Sequence, residues 1–202
     1  MNQAESNNVY KVYDKIANWF ATNRDTVLLE QNYLDKLIAC LPANGTVLDV
    51  GCGTGKPILQ YLLSKDLVVT GIDASSRILE IARFNFPQNE FILGDMRQLN
   101  LKKKFDAIIA WHSFFHLPAQ DQPAMFNIFK KHLNPNEILL FTSGTENGEA
   151  WGMVSGENLF HASLDKIEYE NLLKQNGFAV LQYTANDPDC GYAKVWMAKL
   201  LP

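Results

Sequence analysis

The residues with the clearest chemical meaning form one loop, Asp49-Val50-Gly51-Cys52-Gly53-Thr54-Gly55, which closes an apolar run and leads into a helix-like segment. Glycines at alternate positions let a backbone turn sharply and come close to a ligand. A ligand at such a turn lies at the carboxyl ends of the strands, where open α/β sheets bind. Two more aspartates hold the same kind of position. Asp73 ends the next apolar run, and Asp95 follows the third in Gly94-Asp95-Met96. An acid after the second strand of such a sheet hydrogen-bonds ribose hydroxyls. One after the third can accept from an adenine amino group, with Met96 as an apolar neighbour of the ring. A single aspartate there reads as a turn residue, whereas three along one sheet edge read as a nucleoside site.

Two phosphate ligands fit this loop poorly. A phosphate loop requires Gly, four residues, then Gly-Lys-Ser/Thr. Gly55-Lys56 is present, but Val50 stands at the first glycine and Pro57 at the hydroxyl. A dinucleotide fingerprint requires its third glycine where Lys56 stands, and Asp49 would repel a pyrophosphate. The same carboxylate would attract a nucleoside carrying an ammonium and a sulfonium.

The elements that must position these residues follow from hydrophobic pattern. Strand-like runs at 46–50, 67–72, 91–93, 105–111 and 138–142 alternate with helix-like segments at 57–64, 77–85 and 118–132. Ser75 or Ser76 serves as cap of the second helix. This alternation predicts an α/β fold, a mostly parallel sheet with helices on both faces. The first 40 residues read as a helical cover with Tyr10, Tyr13, Trp19 and Phe20 as apolar contacts. Residues 144–161 read as a long loop, the kind that forms lids and binding loops, with 144–162 a substrate-side insertion. A capping box at Asp165 and Glu168 starts a helix that Gly177 stops. Runs at 178–184 and 192–199, joined through Asn186–Gly191, predict a closing hairpin.

Length and composition set outer limits. A chain of 202 residues suits a single α/β domain, here taken as 1–202. The net charge of −4 argues against nucleic-acid or anionic-membrane partners. The basic run Lys102-Lys103-Lys104 reads as a solvated loop. Cys40, Cys52 and Cys190 fit no zinc pattern, and free thiols suit a reducing cytoplasm. The first eight residues lack the apolar core of a secretory signal.

Four motifs in order, Val47–Gly55, Gly71-Ile72-Asp73-Ala74-Ser75, Gly94-Asp95-Met96 and Phe105-Asp106-Ala107-Ile108-Ile109, resemble those of the class I S-adenosylmethionine (SAM)-dependent methyltransferases. The resemblance covers about residues 10–143. It implies a Rossmann-like three-layer sandwich with a seven-stranded sheet of order 3-2-1-4-5-7-6, strand 7 antiparallel and supplied by 192–199. It also implies SAM as cofactor and S-adenosylhomocysteine as product. Asp49, Gly51, Cys52, Gly53, Thr54 and Gly55 would face the methionine part, Asp73 and Ala74 the ribose, Asp95 and Met96 the adenine. Tyr13, from the cover, and Trp111 and His112, after the fourth strand, would flank the cofactor.

The acceptor side carries less information. His112, His116 and His161 are the candidate bases or substrate contacts, since histidine is the usual base near neutral pH. His112 and His116 lack the glutamate and third ligand of a zinc site, so no metal is expected. The segment 110–117 has neither the Asn/Asp-Pro-Pro-aromatic motif of exocyclic-nitrogen methylation nor a Pro-Cys nucleophile, which disfavours DNA-base acceptors. Phe160–Leu164 and Asp187–Gly191 resemble segments of small bacterial methyltransferases. The expected reaction is methyl transfer to a small-molecule O, N or S nucleophile by a monomer or homodimer. The competing readings are a non-catalytic SAM-binding module and a nicotinamide-dependent oxidoreductase. Lys56 and the missing Tyr-x-x-x-Lys pair argue against the oxidoreductase.

Overall fold

The computed structural model describes residues 3–24, 27–144 and 146–202. Met1, Asn2, Asp25 and Thr26 of the N-terminal segment and Thr145 of the insertion lie outside the described residues. The strands are β1 (Thr46–Val50), β2 (Val68–Asp73), β3 (Glu90–Leu93), β4 (Phe105–Ala110), β5 (Leu133–Ser143), β6 (Gly148–Val154), β7 (Glu157–Ser163), β8 (Phe178–Asp187) and β9 (Ala193–Leu200). Seven of them form one sheet of order β3-β2-β1-β4-β5-β9-β8. β1 pairs in parallel with β2 and β4, and β9 runs antiparallel to both β5 and β8. This is the expected topology, with β8 and β9 as the sixth and seventh strands of the sheet.

The helices are α1 (Gln3–Ser6), α2 (Tyr10–Asn23), α3 (Gln31–Ile38), α4 (Ile58–Leu63), α5 (Ser76–Asn85), α6 (Gln122–His132) and α7 (Lys166–Gln175). Alternate residues of the central strands feed two cores. Val47, Ala107, Ile109, Leu140 and Val195 pack with α3 and α4. Leu48, Val50, Ile108, Ala110, Phe141 and Trp196 pack with α6 and α7. Such two-sided burial explains why these strands are unbroken apolar runs. Ser75 is the cap of α5, its Oγ accepting from the Ile78 N–H at 3.2 Å. Asp165 and Glu168 form the capping box of α7.

The segment read as a loop is instead a β-hairpin. β6 and β7 pair antiparallel from Gly148↔Ser163 to Val154↔Glu157. Ser155 and Gly156 make its two-residue turn at φ +48° and +80°, the positive-φ pair that matches the twist of hairpin strands. α6 also starts later than expected, at Gln122, because residues 118–121 form a turn before it. Among the described residues no helix is long and apolar enough to cross a membrane.

Candidate functional site

A cavity open to solvent at its mouth lies at the carboxyl edge of β1, β2 and β4. Tyr13, Asp49, Gly51, Cys52 and Gly53 line it, as do Asp73, Ala74, Asp95 and Met96, and on the far side Trp111, His112 and His116. Thr54 and Gly55 are not on its wall. Thr54 is buried, its carbonyl accepting from Asn85 Nδ2, and Gly55 faces the Phe86 ring. His161 is also off the wall, but its ring centroid is 4.9 Å from that of His116.

The glycine loop is shaped by two constraints. The N–H groups of Gly51 and Cys52 both donate to the Ile72 carbonyl, at 2.7 and 3.0 Å, which forces the reversal after β1. Gly51 then sits at φ +78°, and a Cβ there would fall 2.2 Å from Ser113 Cβ. Ser113 in turn donates to the Val50 carbonyl at 2.5 Å. Gly51 therefore serves the close approach of two loops as well as the turn.

Asp73 holds this loop from the second strand. Its Oδ2 accepts from the Gly53 N–H at 3.0 Å and its Oδ1 from the Ser75 N–H at 2.9 Å. Burial raises its pKa, and these backbone donors pull the other way. Asp49 is almost fully buried. Burial, then the neighbouring Asp73 charge, pushes its carboxyl up to about 7, while Arg24 opposes the rise and Glu30 adds to it. Arg24 follows α2, lines the cavity, donates to the Lys56 carbonyl at 3.2 Å and lies over the Phe20 ring. A buried carboxylate and a guanidinium whose charge acts on it thus line one cavity, groups complementary to the two charges of an amino-acid zwitterion.

At the other end Arg97 fixes Asp95. Arg97 Nε reaches both carboxylate oxygens at 3.0 Å, Nη1 reaches Asp121 at 2.8 Å and Nη2 the Asn7 carbonyl at 2.8 Å. Burial works upward on Asp95, but the Arg97 hydrogen bonds outweigh it and hold the carboxyl below its ordinary value. Met96, Ile78 and Leu117 supply apolar surface at this end.

His112 and His116 sit on an anchored loop with one left-handed residue. His112 has φ +49° and its N–H donates to Thr142 Oγ1 at 2.8 Å. A left-handed non-glycine residue costs on the order of 1 kcal/mol. Phe114, fully buried against Phe126, Phe129 and Phe141, holds the loop down against that strain. His112 lines the cavity and is solvent-exposed. Desolvation by the protein around it, then Arg24 and His161, act to lower its pKa. His116 bridges two elements: Nδ1 is 2.9 Å from the Phe160 carbonyl of β7, and Nε2 is 2.9 Å from the Tyr13 hydroxyl of α2. Burial lowers its pKa to about 3 and raises that of Tyr13. No group of three His, Cys, Asp or Glu among the described residues is arranged to hold a metal.

Sequence reasoning missed Arg24, Arg97, Asn7 and Ser113. Each lies in a turn, a short helix or at a helix end, and nothing in its sequence neighbours marks it.

A family model described as methyltransferase domain matches residues 47–136. The chain is 31% identical over 120 residues to the ubiquinone biosynthesis O-methyltransferase of Histophilus somni, covering 54% of this chain and 48% of that one. It is 33% identical over 101 residues to the dTDP-3-amino-3,6-dideoxy-alpha-D-glucopyranose N,N-dimethyltransferase of Streptomyces fradiae, covering 49% and 39%. The chain spans less than half the length of either relative. Among solved structures it resembles SAM-bound CalS10, an amino pentose methyltransferase from Micromonospora echinaspora. The TM-score is 0.74 at 19% identity, covering 94% of this chain and 96% of that one.

Proposed function

We propose that this chain, which carries a methyltransferase domain over residues 47–136 on the fold of the SAM-dependent methyltransferases, binds SAM and transfers its methyl group to a small-molecule O, N or S nucleophile. The observation that carries the reading is that buried Asp49 and Arg24, whose charge acts on it, line the same cavity as Asp73 and Asp95. Asp49 takes the ammonium of the cofactor tail and Arg24 its carboxylate. Asp73 keeps acceptor capacity beyond its backbone bonds, which the ribose would use. Asp95, oriented by Arg97, and Met96 take the adenine.

SAM supplies a methyl group on a sulfonium, already a good leaving group, so the protein's task is alignment and exclusion of water. α2 closes the cavity from above. Asp14 of α2 accepts from Ser75 Oγ at 2.6 Å at the start of α5, and Lys15 pairs with Glu157 of the hairpin at 2.6 Å. The hairpin and the 112–116 loop form the acceptor side. Relatives are named for O-methyl and for N,N-dimethyl transfer, so kinship leaves the accepting atom open.

Calorimetry with SAM, S-adenosylhomocysteine, NAD and ATP tests the binding claim. The sulfonium compound and its thioether product should bind and the two phosphorylated ones should not. Release of S-adenosylhomocysteine across a metabolite library tests turnover. Binding of SAM without release from any member would favour a non-catalytic module.

A further inference from the structure

Resting on that methyl-donor reading, we propose that His112 is the catalytic histidine of this site: its ring takes the proton that the accepting atom gives up, and His116 and His161 do not. The three rings differ in how their nitrogens are placed. His116 has both engaged. The Phe160 carbonyl can only accept, so Nδ1, 2.9 Å away, carries the ring proton. Nε2 then keeps a lone pair, and the Tyr13 hydroxyl 2.9 Å away donates to it. Burial disfavours a second proton on this ring. His116 therefore ties α2 to β7 and has no nitrogen left for a substrate. His161 is off the cavity wall. His112 is on that wall and exposed. Its backbone N–H is held by Thr142, but among the described residues its ring nitrogens make no hydrogen bond.

The surrounding structure places that ring. Ser113 donates to the Val50 carbonyl and fills the space where Gly51 lacks a Cβ, so the residue before it stands beside the glycine loop. Trp111, itself packed on Tyr33, and Phe115 flank the His112 ring, with centroids at 5.5 and 5.7 Å. Contacts of this kind orient a ring. Among the described non-glycine residues at positive φ, only His112 lies on the cavity wall. Strain of that sort clusters at functional sites, and glycine would avoid it. The imidazole thus stands here at a cost.

The step balances for each kind of acceptor. The accepting atom's lone pair forms the bond to the methyl carbon, and the C–S pair leaves on sulfur. A hydroxyl or thiol passes its proton to the His112 lone pair as it attacks. An amine that arrives as an ammonium passes its proton beforehand. The imidazolium then releases the proton to solvent, which the exposure of His112 allows. Desolvation by the protein around it, then Arg24 and His161, disfavour a resident proton, so the ring stands ready as the free base at neutral pH.

The test uses the full chain, SAM and the probes 4-methylcatechol, benzyl mercaptan and benzylamine. On each probe that turns over, His112→Asn should lower kcat by roughly a hundredfold or more and leave the SAM Kd within about threefold. Asparagine tolerates the same backbone angle and can hydrogen-bond, but it cannot take a proton. His112→Gly suits φ +49° and should stay folded, and added imidazole should raise its kcat at least about tenfold. Imidazole should restore nothing to His116→Gly. Nitrogen NMR of the histidine side chains should show His116 fixed as the Nδ1–H tautomer. The His112 signals should move when a probe is added to the S-adenosylhomocysteine complex. A kcat for His112→Asn within about threefold of native, no rescue of His112→Gly, or rescue of His116→Gly would overturn the proposal. If no probe turns over, His112 signals that stay fixed on addition of every probe would overturn it, and signals that move would support it. Failure of SAM to bind at all would instead remove the methyl-donor reading beneath it.

Discussion

Replacing Asp49 by asparagine separates what the residue does for the fold from what it does for the ligand. Its carboxyl stands at about 7 in the folded protein against 3.8 for an ordinary aspartate. At about 1.36 kcal/mol per pKa unit, keeping it ionised in the fold costs on the order of 4 kcal/mol. The folded value lies above the unfolded one, so the folded state binds the proton more tightly. The penalty is therefore absent below about pH 4, grows as pH rises, and is complete above about pH 7. Asp49→Asn removes the charge at nearly constant shape, although the new amide must find partners of its own. The net expectation is a ligand-free protein more stable by about 1–3 kcal/mol at pH 8, a rise in melting temperature of roughly 3–9 °C. The gain should vanish by about pH 4. The same variant should bind SAM at least about tenfold more weakly, since a charge-assisted hydrogen bond to the ammonium is lost. In the native protein, SAM affinity should fall about tenfold from pH 8 to pH 6 as Asp49 takes up its proton. The ligand's own amine titrates over the same interval, and the slope of the variant removes that contribution. Melting scans and calorimetry at three pH values provide the data. A variant that melts below the native protein at pH 8, or binds SAM as well, would refute the argument.

Other positions give sharper single readouts. Gly51→Ala should lower stability by about 2–4 kcal/mol, because its Cβ meets Ser113 at 2.2 Å on a backbone with φ +78°. Gly156→Ala, with open space around a φ of +80°, should cost only about 1 kcal/mol, and equal losses at both sites would remove the steric argument. Asp73→Ala should weaken SAM binding by about 1–3 kcal/mol, and unchanged affinity in calorimetry would count against the ribose assignment. Arg24→Met should weaken SAM at least about tenfold while sparing a decarboxylated analogue, and equal losses for both would place Arg24 elsewhere.

Much of the scaffold was legible because its physics is periodic. Strands buried on both faces must be apolar throughout, so β1, β4 and the central part of β5 announce themselves, and the acids at their edge follow from where they end. The hairpin was not legible. Its strands face solvent over much of their length, Met153 is 76% exposed, and its Ser155-Gly156 turn sits among other polar residues that read equally well as loop. Arg24 was hidden for another reason. A lone arginine after an amphipathic helix has many surface roles, and only the folded chain brings it to the same cavity as Asp49. The hydrogen bonds of His116 are made to residues 103 and 44 positions away, so sequence could nominate the ring but not its tautomer. Thr54 and Gly55 show the converse, a motif whose last members serve the loop's packing rather than the cavity.

The ribbon of β6 and β7 forms its own ladder, apart from the seven-stranded sheet. Its length can therefore change in steps of one residue pair at the tip without breaking any bond in the main ladder. Descendants of this chain could lengthen or shorten that ribbon beside His116 while leaving the cavity at the edge of the main sheet intact, a change made at little risk to folding.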